Sequence, residues 1–414
     1  MSANGRPVLD VVVWGATGFT GQLVSEYLVE HYPDGTLRLG LGGRSRDKLE
    51  AVRAKLAIAH PGAAELPLLV GDSFDAASLD AIASRTRVVC TTVGPYAKYG
   101  AELVAACVRH GTSYCDLTGE VQFIRRMVDA HHDAAKKSGA RIVHCCGYDS
   151  IPSDLGTLVL QDAMRERHGS ACSRVKLLAG ESKGGMSGGT VASILNLLEE
   201  ARRDRSVRRI LADPYALNPE GERQGPDGPD PMRVRRDDDL GMWVGPFLMA
   251  AINSRVVRRS NALLGYPYGK DFHYSEEMSF GRGAKGLLRA TAFAGGLAGL
   301  MAAANLHWTR SLLERKLPKP GEGPDREQRE SGYFVTRLLG KGTDADGGPA
   351  ALRVRVEGQS DPGYGETSKM LGESAACLAL DELETAGGIL TPASAMGRRL
   401  VGRLRDAGML FNVE

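Results

Sequence analysis

The stretch VVVWGATGFTGQLV, Val11–Val24, decides the fold because it joins a buried strand to a helix through a glycine-rich turn. The β-branched run that ends at Trp14 is short enough for a buried strand of a parallel sheet. Apolar residues then recur at helical spacing and predict a helix over residues 19–32. The glycines therefore fall in a strand-to-helix turn, where a tight backbone can approach a bound anion.

Three glycines, Gly15, Gly18 and Gly21, form this turn with the spacing GxxGxxG rather than GxGxxG. Because glycine has no Cβ, backbone N–H groups can meet a pyrophosphate at the helix N-terminus, where unpaired donors and the helix dipole favour an anion. A glycine triplet alone is weak evidence, but its place between strand and helix strengthens the prediction of a dinucleotide site. The turn residues assigned to the cofactor are Gly15, Thr17, Gly18, Phe19, Thr20 and Gly21.

The second strand indicates which dinucleotide binds. An NAD enzyme places Asp or Glu at the end of this strand for the ribose 2′-hydroxyl, but TLRLGLGGRSRDKLEAV, residues 36–52, continues from its glycines into Arg44 and Ser45. Arg44 can form a fork onto a 2′-phosphate, and Ser45 can add a hydroxyl. The sequence therefore predicts NADPH rather than NADH. The alternative is that Arg44 is only a solvated charge after a strand.

Strand and helix patterns continue to alternate as far as residue 150. This alternation predicts an α/β chain whose N-terminal domain, residues 1–150, is a doubly wound parallel sheet of the Rossmann type. Ligands bind such sheets at the carboxyl ends of the strands, which places the candidate site in the loops Gly94–Tyr96, Asp116–Glu120 and Gly147–Ser150. The further residues assigned to the cofactor are Asp72, Gly94 and Pro95.

Length and composition limit the possible classes of protein. A chain of 414 residues is long enough for two domains, and 43% hydrophobic with 25% charged residues is typical of a folded protein. The net charge of +2 argues against nucleic acid as a partner. The seven cysteines lie mostly in apolar runs without metal-ligand spacing, and they predict reduced thiols, no metal site and a cytoplasmic location.

The second half, residues 151–414, loses the strict alternation and predicts a mixed α/β substrate domain. Glycines between Gly184 and Gly189 either let backbone approach a substrate or only form turns. The segment Pro214–Asp239 is rich in Pro, Gly, Arg and Asp and predicts a mobile surface loop. Further on, SGYFVTRLLG and AALRVRVEGQ predict a hairpin across residues 342–348.

A stretch of 19 residues, Ala290–Trp308, carries no Lys, Arg, Asp or Glu. Leu297 and Leu300 fall on one helical stripe, while Gly295 and Gly299 offer a small surface for close helix contact. Three alternatives follow for this apolar helix: it is buried or faces a partner, it lines or covers a site for a lipid acyl chain, or it inserts into a membrane.

Seven motifs are spread over nearly the whole chain: GATGFTG, GGRSRDKL, VGPYAKYG, CVRHGTSYCDLTGE, CCGYDSIPSDLG, DPGYGETSKML and GGILTPASAMG. Together they resemble the saccharopine dehydrogenase-like oxidoreductases. They are similar above all to the actinobacterial branch of trans-acting enoyl reductases of polyketide lipid synthesis. The resemblance implies a Rossmann NADP domain followed by a mixed α/β substrate domain.

One motif departs from the saccharopine reductases themselves. Their corresponding loop is closer to GxDPG and helps to hold substrate carboxylates and the nicotinamide. Here Ser150 and Ile151 stand between Asp149 and Pro152. The departure argues against an amino-acid substrate, and the resemblance as a whole implies NADPH-dependent reduction of a carbon–carbon double bond in a lipid or polyketide intermediate.

An enoyl reduction needs a donor that protonates the α-carbon or stabilises the enolate oxygen. Tyr148 is our first candidate donor because it follows the sixth strand, and Tyr96 and Asp149 occupy the same rim. The alternative is that the two tyrosines only pack the cleft between the domains. Asp116 and Glu120 are candidates to fix the loop, with Asp116 as a helix N-cap among the options, or to contact a substrate group.

Two other functions stay open at this stage: a saccharopine-type dehydrogenase of an amino-acid adduct, and a catalytically idle NADP-binding scaffold at a lipid surface. The expected partner is an acyl or polyketide substrate, with a carrier-bound form as one possibility. A homodimer and peripheral contact with the inner face of the plasma membrane are further possibilities.

Overall fold

The computed structural model describes residues 9–33, 35–184, 188–305 and 323–414, and these residues form two seven-stranded sheets. The strands are β1 (Leu9–Trp14), β2 (Leu39–Gly43), β3 (Leu68–Val70), β4 (Thr86–Thr91), β5 (Ser113–Cys115), β6 (Arg141–Val143), β7 (Cys172–Lys183), β8 (Arg235–Arg236), β9 (Trp243–Gly245), β10 (His273–Ser279), β11 (Tyr333–Thr343), β12 (Pro349–Gly358), β13 (Gly388–Leu390) and β14 (Leu410–Val413).

Helices connect and cover these strands. They are α1 (Phe19–His31), α2 (Arg46–Ala59), α3 (Ala76–Ala83), α4 (Tyr96–Tyr99), α5 (Ala101–His110), α6 (Val121–Ser138), α7 (Ile151–His168), α8 (Gly188–Arg203), α9 (Arg205–Ala212), α10 (Ala250–Leu263), α11 (Gly283–Asn305), α12 (Arg326–Glu330), α13 (Gly365–Leu380), α14 (Pro392–Ala395) and α15 (Gly397–Asp406), with a 3₁₀ turn at Pro61–Glu65.

The first sheet is parallel throughout and has the strand order β13-β6-β5-β4-β1-β2-β3. All six residues of β1 are buried, as expected for a strand that is covered on both faces by helices. The order reverses direction beside β1, which places a crevice for ligands at the carboxyl ends of β1 and β4. The predicted doubly wound α/β sheet is confirmed.

The first sheet takes one strand and one covering helix from the far end of the chain. Strand β13 pairs with β6, with Ile389 opposite Ile142, and α13 packs against α1, β1, β4 and β5. The sequence did not predict that the C-terminal part of the chain contributes to the first sheet. The domain boundary predicted after residue 150 stays a prediction. The closing of the sheet therefore depends on residues more than two hundred positions downstream of its first strands.

A buried carboxylate joins α13 to α1. Glu373 accepts hydrogen bonds at 2.7 Å from the hydroxyls of both Tyr27 and Tyr32. Burial and the neighbouring Glu373 carboxylate raise the pKa of Tyr27 above its usual range. Both hydroxyls therefore stay protonated and donate, which holds the two helices in register over the first sheet.

The second sheet is mixed, with the order β14-β12-β11-β7-β10-β9-β8. Only β7 and β10 run parallel among its described pairs, and β11 with β12 forms the predicted hairpin. Helix α7 packs on β11 and β12 and also contributes to the core of the first sheet. One apolar core therefore continues from the first sheet into the second.

The segment expected to be a mobile surface loop, Pro214–Asp239, is anchored by buried arginines. Its residues Tyr215–Asn218 are buried. Arg258 donates to the carbonyl oxygen of Pro214 at 2.9 Å, and Arg259 donates to that of Leu217. The prediction of a surface loop is wrong for this part, because polar composition does not show that arginine side chains from a neighbouring helix satisfy the backbone carbonyls.

The apolar stretch predicted over residues 290–308 lies in α11 as far as Asn305, and residues 306–308 lie outside the described residues. The alternative that this helix is buried in the protein's own core is wrong for most of its described residues. Leu300 is 43% exposed, and an added Cβ at Gly295 or Gly299 would meet nothing within 4 Å. No helix in the described part of the chain combines the length and apolar character needed to cross a membrane.

Candidate cofactor and active site

Two glycines of the β1–α1 turn are required by the fold. Gly15 has φ +91°, and a Cβ there would lie 2.6 Å from Cγ2 of Val93. A Cβ on Gly21 would lie 2.1 Å from the carbonyl oxygen of Gly15. At these two positions the β1–α1 loop lies closer to its neighbours than a residue with a side chain would permit.

Gly18 differs from Gly15 and Gly21 because it is less crowded and faces solvent. The nearest atom to an added Cβ would be the carbonyl oxygen of Gly15 at 3.3 Å. Gly18 is exposed and precedes α1, whose N-terminus has neither a side-chain cap nor an acidic residue in its first turn. Unpaired N–H donors beside open space fit the pyrophosphate of a dinucleotide.

The remaining turn residues have two kinds of surroundings: the two threonines lie beside the glycines, and Phe19 contacts the C-terminal half of the chain. Thr17 and Thr20 are half-buried beside the glycines. The ring of Phe19 meets Tyr364 edge-on at 4.9 Å between centroids, and the Arg329 guanidinium lies 5.7 Å from the Phe19 ring centroid. Phe19 therefore joins the turn to the C-terminal half, and its assignment to the cofactor stays a prediction.

The residues predicted to recognise the ribose phosphate lie on neighbouring strands. Arg44 is exposed directly after β2 and makes no ion pair within the described residues. Ser45 caps α2 by accepting from the N–H of Lys48 at 3.4 Å. Asp72 follows β3, and its carboxylate accepts from the N–H of Phe74 at 2.9 Å. Arg44 is therefore a cation at this edge without an ion pair among the described residues, which fits a 2′-phosphate.

The structure uses Tyr96, one of the candidate donors, as a structural contact. The Tyr96 side chain is 5% exposed, and its hydroxyl donates to the carbonyl oxygen of Thr91 at 3.2 Å and accepts from the N–H of Leu117 at 3.3 Å. It follows Gly94, which is exposed, and the cis peptide bond to Pro95. The hydroxyl of Tyr96 thus joins two loops and faces no open space.

Two buried carboxylates fix the loops at this rim. Glu120 accepts from the N–H groups of Tyr96 at 2.7 Å and Ala97 at 3.0 Å. Asp116 accepts from the Tyr114 hydroxyl at 2.8 Å and from Nδ1 of His144 at 2.7 Å, with the histidine proton assigned to that nitrogen. Of the two roles that the sequence left open for these carboxylates, the contacts support the fixing of loops.

His144 was missed by sequence reasoning. It is 2% exposed, its Nδ1 is paired with Asp116, and its Nε2 has no hydrogen-bond partner. The signal for it in the sequence was its position one residue beyond β6, in the motif HCCGYDS, where a polar side chain interrupts an apolar run.

Tyr148 and Asp149 lie at the boundary between the two sheets. The ring of Tyr148 contacts Phe334 of β11 edge-on at 4.8 Å between centroids, and its N–H donates to Oγ1 of Thr367 at 3.1 Å. Burial raises the pKa of Tyr148 above its usual range, and the nearby carboxyl groups of Asp149 and Glu276 raise it further. Tyr148 therefore keeps its proton at neutral pH.

The carboxyl group of Asp149 is half-buried and unpaired within the described residues, which is unusual for a carboxyl group in such a position. No hydrogen bond or ion pair to it is present in the described chain, and its Oδ2 would lie 3.8 Å from a Cβ on Gly119. Burial alone raises the pKa of Asp149 to about 6. The group can therefore change its protonation state close to neutral pH.

A hydrogen-bonded chain from the second sheet supports this loop. Ser150 donates to Oδ1 of Asn253 at 3.0 Å, and Nδ2 of Asn253 donates to Oε2 of Glu276 at 2.9 Å. The Tyr274 hydroxyl donates to the other oxygen of Glu276 at 2.7 Å. Burial raises the pKa of Glu276 to about 7. Sequence reasoning missed Glu276, although two successive glutamates in a strand must place one side chain on each face.

Comparison with known proteins identifies the family. A family model of the saccharopine dehydrogenase NADP-binding domain matches residues 11–143, which run from β1 to β6. A trans-acting enoyl reductase of Mycobacterium tuberculosis is 40% identical over 414 residues, which cover 97% of each chain. The chain belongs to the trans-acting enoyl reductase branch of the saccharopine dehydrogenase family. A second M. tuberculosis relative, provisionally named for the same activity, is 43% identical over 422 residues and covers 99% of this chain and 98% of its own.

A solved structure supports the same fold. Saccharopine dehydrogenase (L-Glu forming) from Saccharomyces cerevisiae superposes with a TM-score of 0.54 at 13% identity, over 98% of this chain and 99% of its own. Together these findings confirm the predicted family, the Rossmann α/β fold and NADPH as the cofactor. The chain is an NADPH-dependent oxidoreductase, and the residue assignments within its site stay predictions.

The substitution Gly18→Ala is expected to weaken NADPH binding about 10-fold or more while the protein stays folded, because the added methyl needs only a small shift of the Gly15 carbonyl but reduces the room for a pyrophosphate at the helix N-terminus. Gly21→Ala is the matched control. It should lower the melting temperature instead, because its Cβ would overlap the backbone. Calorimetric titration with NADPH beside a melting curve separates the two effects, and an unchanged affinity in folded Gly18→Ala would assign the turn a structural role only.

The substitution Arg44→Ala is expected to weaken NADPH binding by about 10- to 100-fold and to leave the affinity for NADH unchanged, since it removes a charge-assisted contact to the 2′-phosphate. Arg46→Ala serves as the control, because Arg46 pairs with Glu50 at 3.7 Å on α2. Fluorescence titration with both cofactors measures the ratio. If the variant loses NADPH and NADH affinity equally, Arg44 does not select the phosphate.

The substitution Glu276→Gln is expected to remove a loss of stability with rising pH. The pKa of Glu276 is about 7 in the folded protein and 4.5 ordinarily, so the folded state holds the proton longer and the free energy of unfolding falls from pH 4.5 to about 7. The effect is on the order of 1–3 kcal/mol. Urea unfolding at pH 5 and pH 8 measures it, with exposed Glu220→Gln as the control, and parallel pH dependence in wild type and Glu276→Gln would contradict it.

Proposed function

We propose that the protein reduces the carbon–carbon double bond of an α,β-unsaturated acyl thioester that a polyketide synthase carries and presents in trans. The observation that carries this proposal is the position of Tyr148, whose ring lies against Phe334 of the second sheet, next to the loops at the carboxyl edge of the NADP-binding sheet. The relatives named trans-acting enoyl reductases support the same reaction.

The charges near Tyr148 favour a neutral substrate over an amino-acid adduct. The charged groups that act on its hydroxyl are the carboxyls of Asp149 and Glu276, and no cation acts on it or on Asp149 within the described residues. A substrate with several carboxylates would need cationic partners at this rim. An uncharged acyl thioester needs none, so the acid-rich surroundings support the enoyl reading over a saccharopine-type reaction.

Bound NADPH supplies a hydride to the β-carbon of such a substrate. The protein supplies position and a proton. Tyr148 stays protonated because burial raises its pKa, and Phe334 fixes the plane of its ring. The Thr336 side chain lies near this hydroxyl. The Tyr148 hydroxyl can then hydrogen-bond to the thioester oxygen as negative charge develops there, or deliver its proton to the α-carbon.

Asp149 is the second candidate for the proton donor. Its pKa of about 6 means that the protonated fraction falls as the pH rises above 6. If Asp149 donates the proton, turnover falls across that range. If Tyr148 donates, turnover is level there because its pKa lies far above. The pH profile therefore distinguishes the two residues without a variant.

We extend the proposal to the binding partner and to the location of the protein in the cell. A reductase that acts in trans must accept a chain that stays attached to its synthase, so we include a carrier-bound substrate. A homodimer, and a position at the inner face of the plasma membrane, belong to the proposal as well.

The substitution Tyr148→Phe is expected to lower turnover of a 2-enoyl N-acetylcysteamine thioester by about 10²–10⁴-fold with unchanged NADPH affinity, since only the hydroxyl is removed. Asp149→Asn should change turnover little and leave its pH profile level. Tyr96→Phe is the matched control: loss of its two hydrogen bonds should lower the melting temperature and spare turnover. Absorbance of NADPH follows the reaction.

Two results would contradict this assignment. Near-normal turnover of Tyr148→Phe removes Tyr148 from the chemistry, and a wild-type profile that falls near pH 6 and becomes level in Asp149→Asn assigns the proton to Asp149. Absence of NADPH oxidation with every enoyl thioester, in protein that binds NADPH, would contradict the enoyl reductase function itself.

A further inference from the structure

Helix α11 extends from the body of the protein and leaves large apolar side chains in solvent. Leu288 is 71% exposed, Leu300 43% and Phe293 37%. The base of the helix is fixed, because the ring of Phe293 packs on Phe280 at 5.3 Å between centroids and Gly286 lies against Trp243. The described remainder of the helix has few contacts with the protein to account for its apolar sequence.

The exposed side of α11 is much wider than the side that packs. The inward residues, Gly286, Ala290, Ala294 and Leu297, lie within an arc of about 80° at 100° per residue. The opposite side is exposed along the helix, and an added Cβ at Gly295, Gly296 or Gly299 would meet no atom within 4 Å. More than half of the circumference is therefore open.

The charged residues at α11 are all basic, and they cluster at the start of the helix. Arg282 directly precedes the helix, and Lys285 and Arg289 lie on its first turns about 40° apart; all three side chains are exposed. No Asp or Glu occurs anywhere in residues 281–305. The whole chain has a net charge of only +2, so this segment, with three basic and no acidic residues, is positive against a nearly neutral protein.

We propose that α11 docks the protein on an anionic membrane surface. The basic residues of its first turns match the phosphate headgroups, and the uncharged turns after Arg289 enter the boundary of the acyl chains. The charge complementarity selects this occupant. A second copy of α11 would cover only a narrow ridge of the open arc, and in a parallel pair it would also bring like charges together.

This inference assigns residues to the membrane location included in the proposed function, and it can fail without affecting the reaction proposed above. Flotation of the full-length protein with vesicles of phosphatidylcholine containing about one-third phosphatidylglycerol tests it. We expect the wild type to float with these vesicles at least ~10-fold more than with pure phosphatidylcholine, and to be released when NaCl is raised to about 0.5 M.

Two double variants test the two parts of the surface separately. Lys285→Glu with Arg289→Glu should abolish the preference for anionic vesicles, and Leu288→Glu with Leu300→Glu should abolish flotation. The matched control is Ile58→Glu, since Ile58 is 85% exposed on α2 and should behave as wild type. All variants should keep their melting temperature and NADPH affinity, because every changed side chain is exposed.

Three outcomes would overturn the proposal. Equal flotation with neutral and anionic vesicles removes the role of the charges, and wild-type flotation of both double variants removes α11. A wild type that floats with neither vesicle, but is a dimer by light scattering and becomes a monomer through the leucine changes, assigns the helix to a second copy. A collapsed melting temperature in the charge variant would show that the helix is packed, which also overturns the proposal.

Discussion

The space between residue 21 and the carbonyl oxygen of Gly15 sets the position of α1 on the first sheet. An added Cβ would come within 2.1 Å of that oxygen, so the helix lies as close to the turn as backbone permits. This closeness places the unpaired N–H donors of the helix N-terminus at the solvent-exposed turn around Gly18. It also fixes the far side of α1, where Tyr27 and Tyr32 share the Glu373 carboxylate of α13.

Helix α13 carries the same constraint from the cofactor turn to the candidate proton donor. Two turns before Glu373, Thr367 accepts from the N–H of Tyr148 at 3.1 Å and donates to the carbonyl oxygen of Pro362 at 2.7 Å. The segment that binds α1 thus also holds the loop after β6. The glycine turn and Tyr148 are far apart in sequence, yet one helix positions both against the same sheet.

The N-terminal sheet could be predicted from the sequence because its signals are local. Buried β-branched runs alternate with amphipathic helices, and the alternation predicted as far as residue 150 is present in the structure. Strand β13 could not be predicted, since three residues, Gly388–Leu390, carry no periodicity and acquire their role by pairing with β6. The exposure of α11 was equally hidden, because spacing shows which residues share a face and not whether anything covers it. Sequence motifs predicted that the loops around Tyr148 belong to the candidate site. Glu276 is connected to this site through a hydrogen bond from Asn253, a contact between distant elements that no local pattern encodes.

The late arrival of β13 has a consequence for the chain as it leaves the ribosome. Until residue 390 has been synthesised, β6 is a bare edge and the face that α13 covers is open to water. Arg259 adds to this delay, since its guanidinium contacts the carbonyl oxygen of Ile389 at 2.6 Å. A nascent NADP-binding half therefore has an uncovered apolar face and an unpaired strand edge, both of which favour aggregation, until the C-terminal segment completes the sheet.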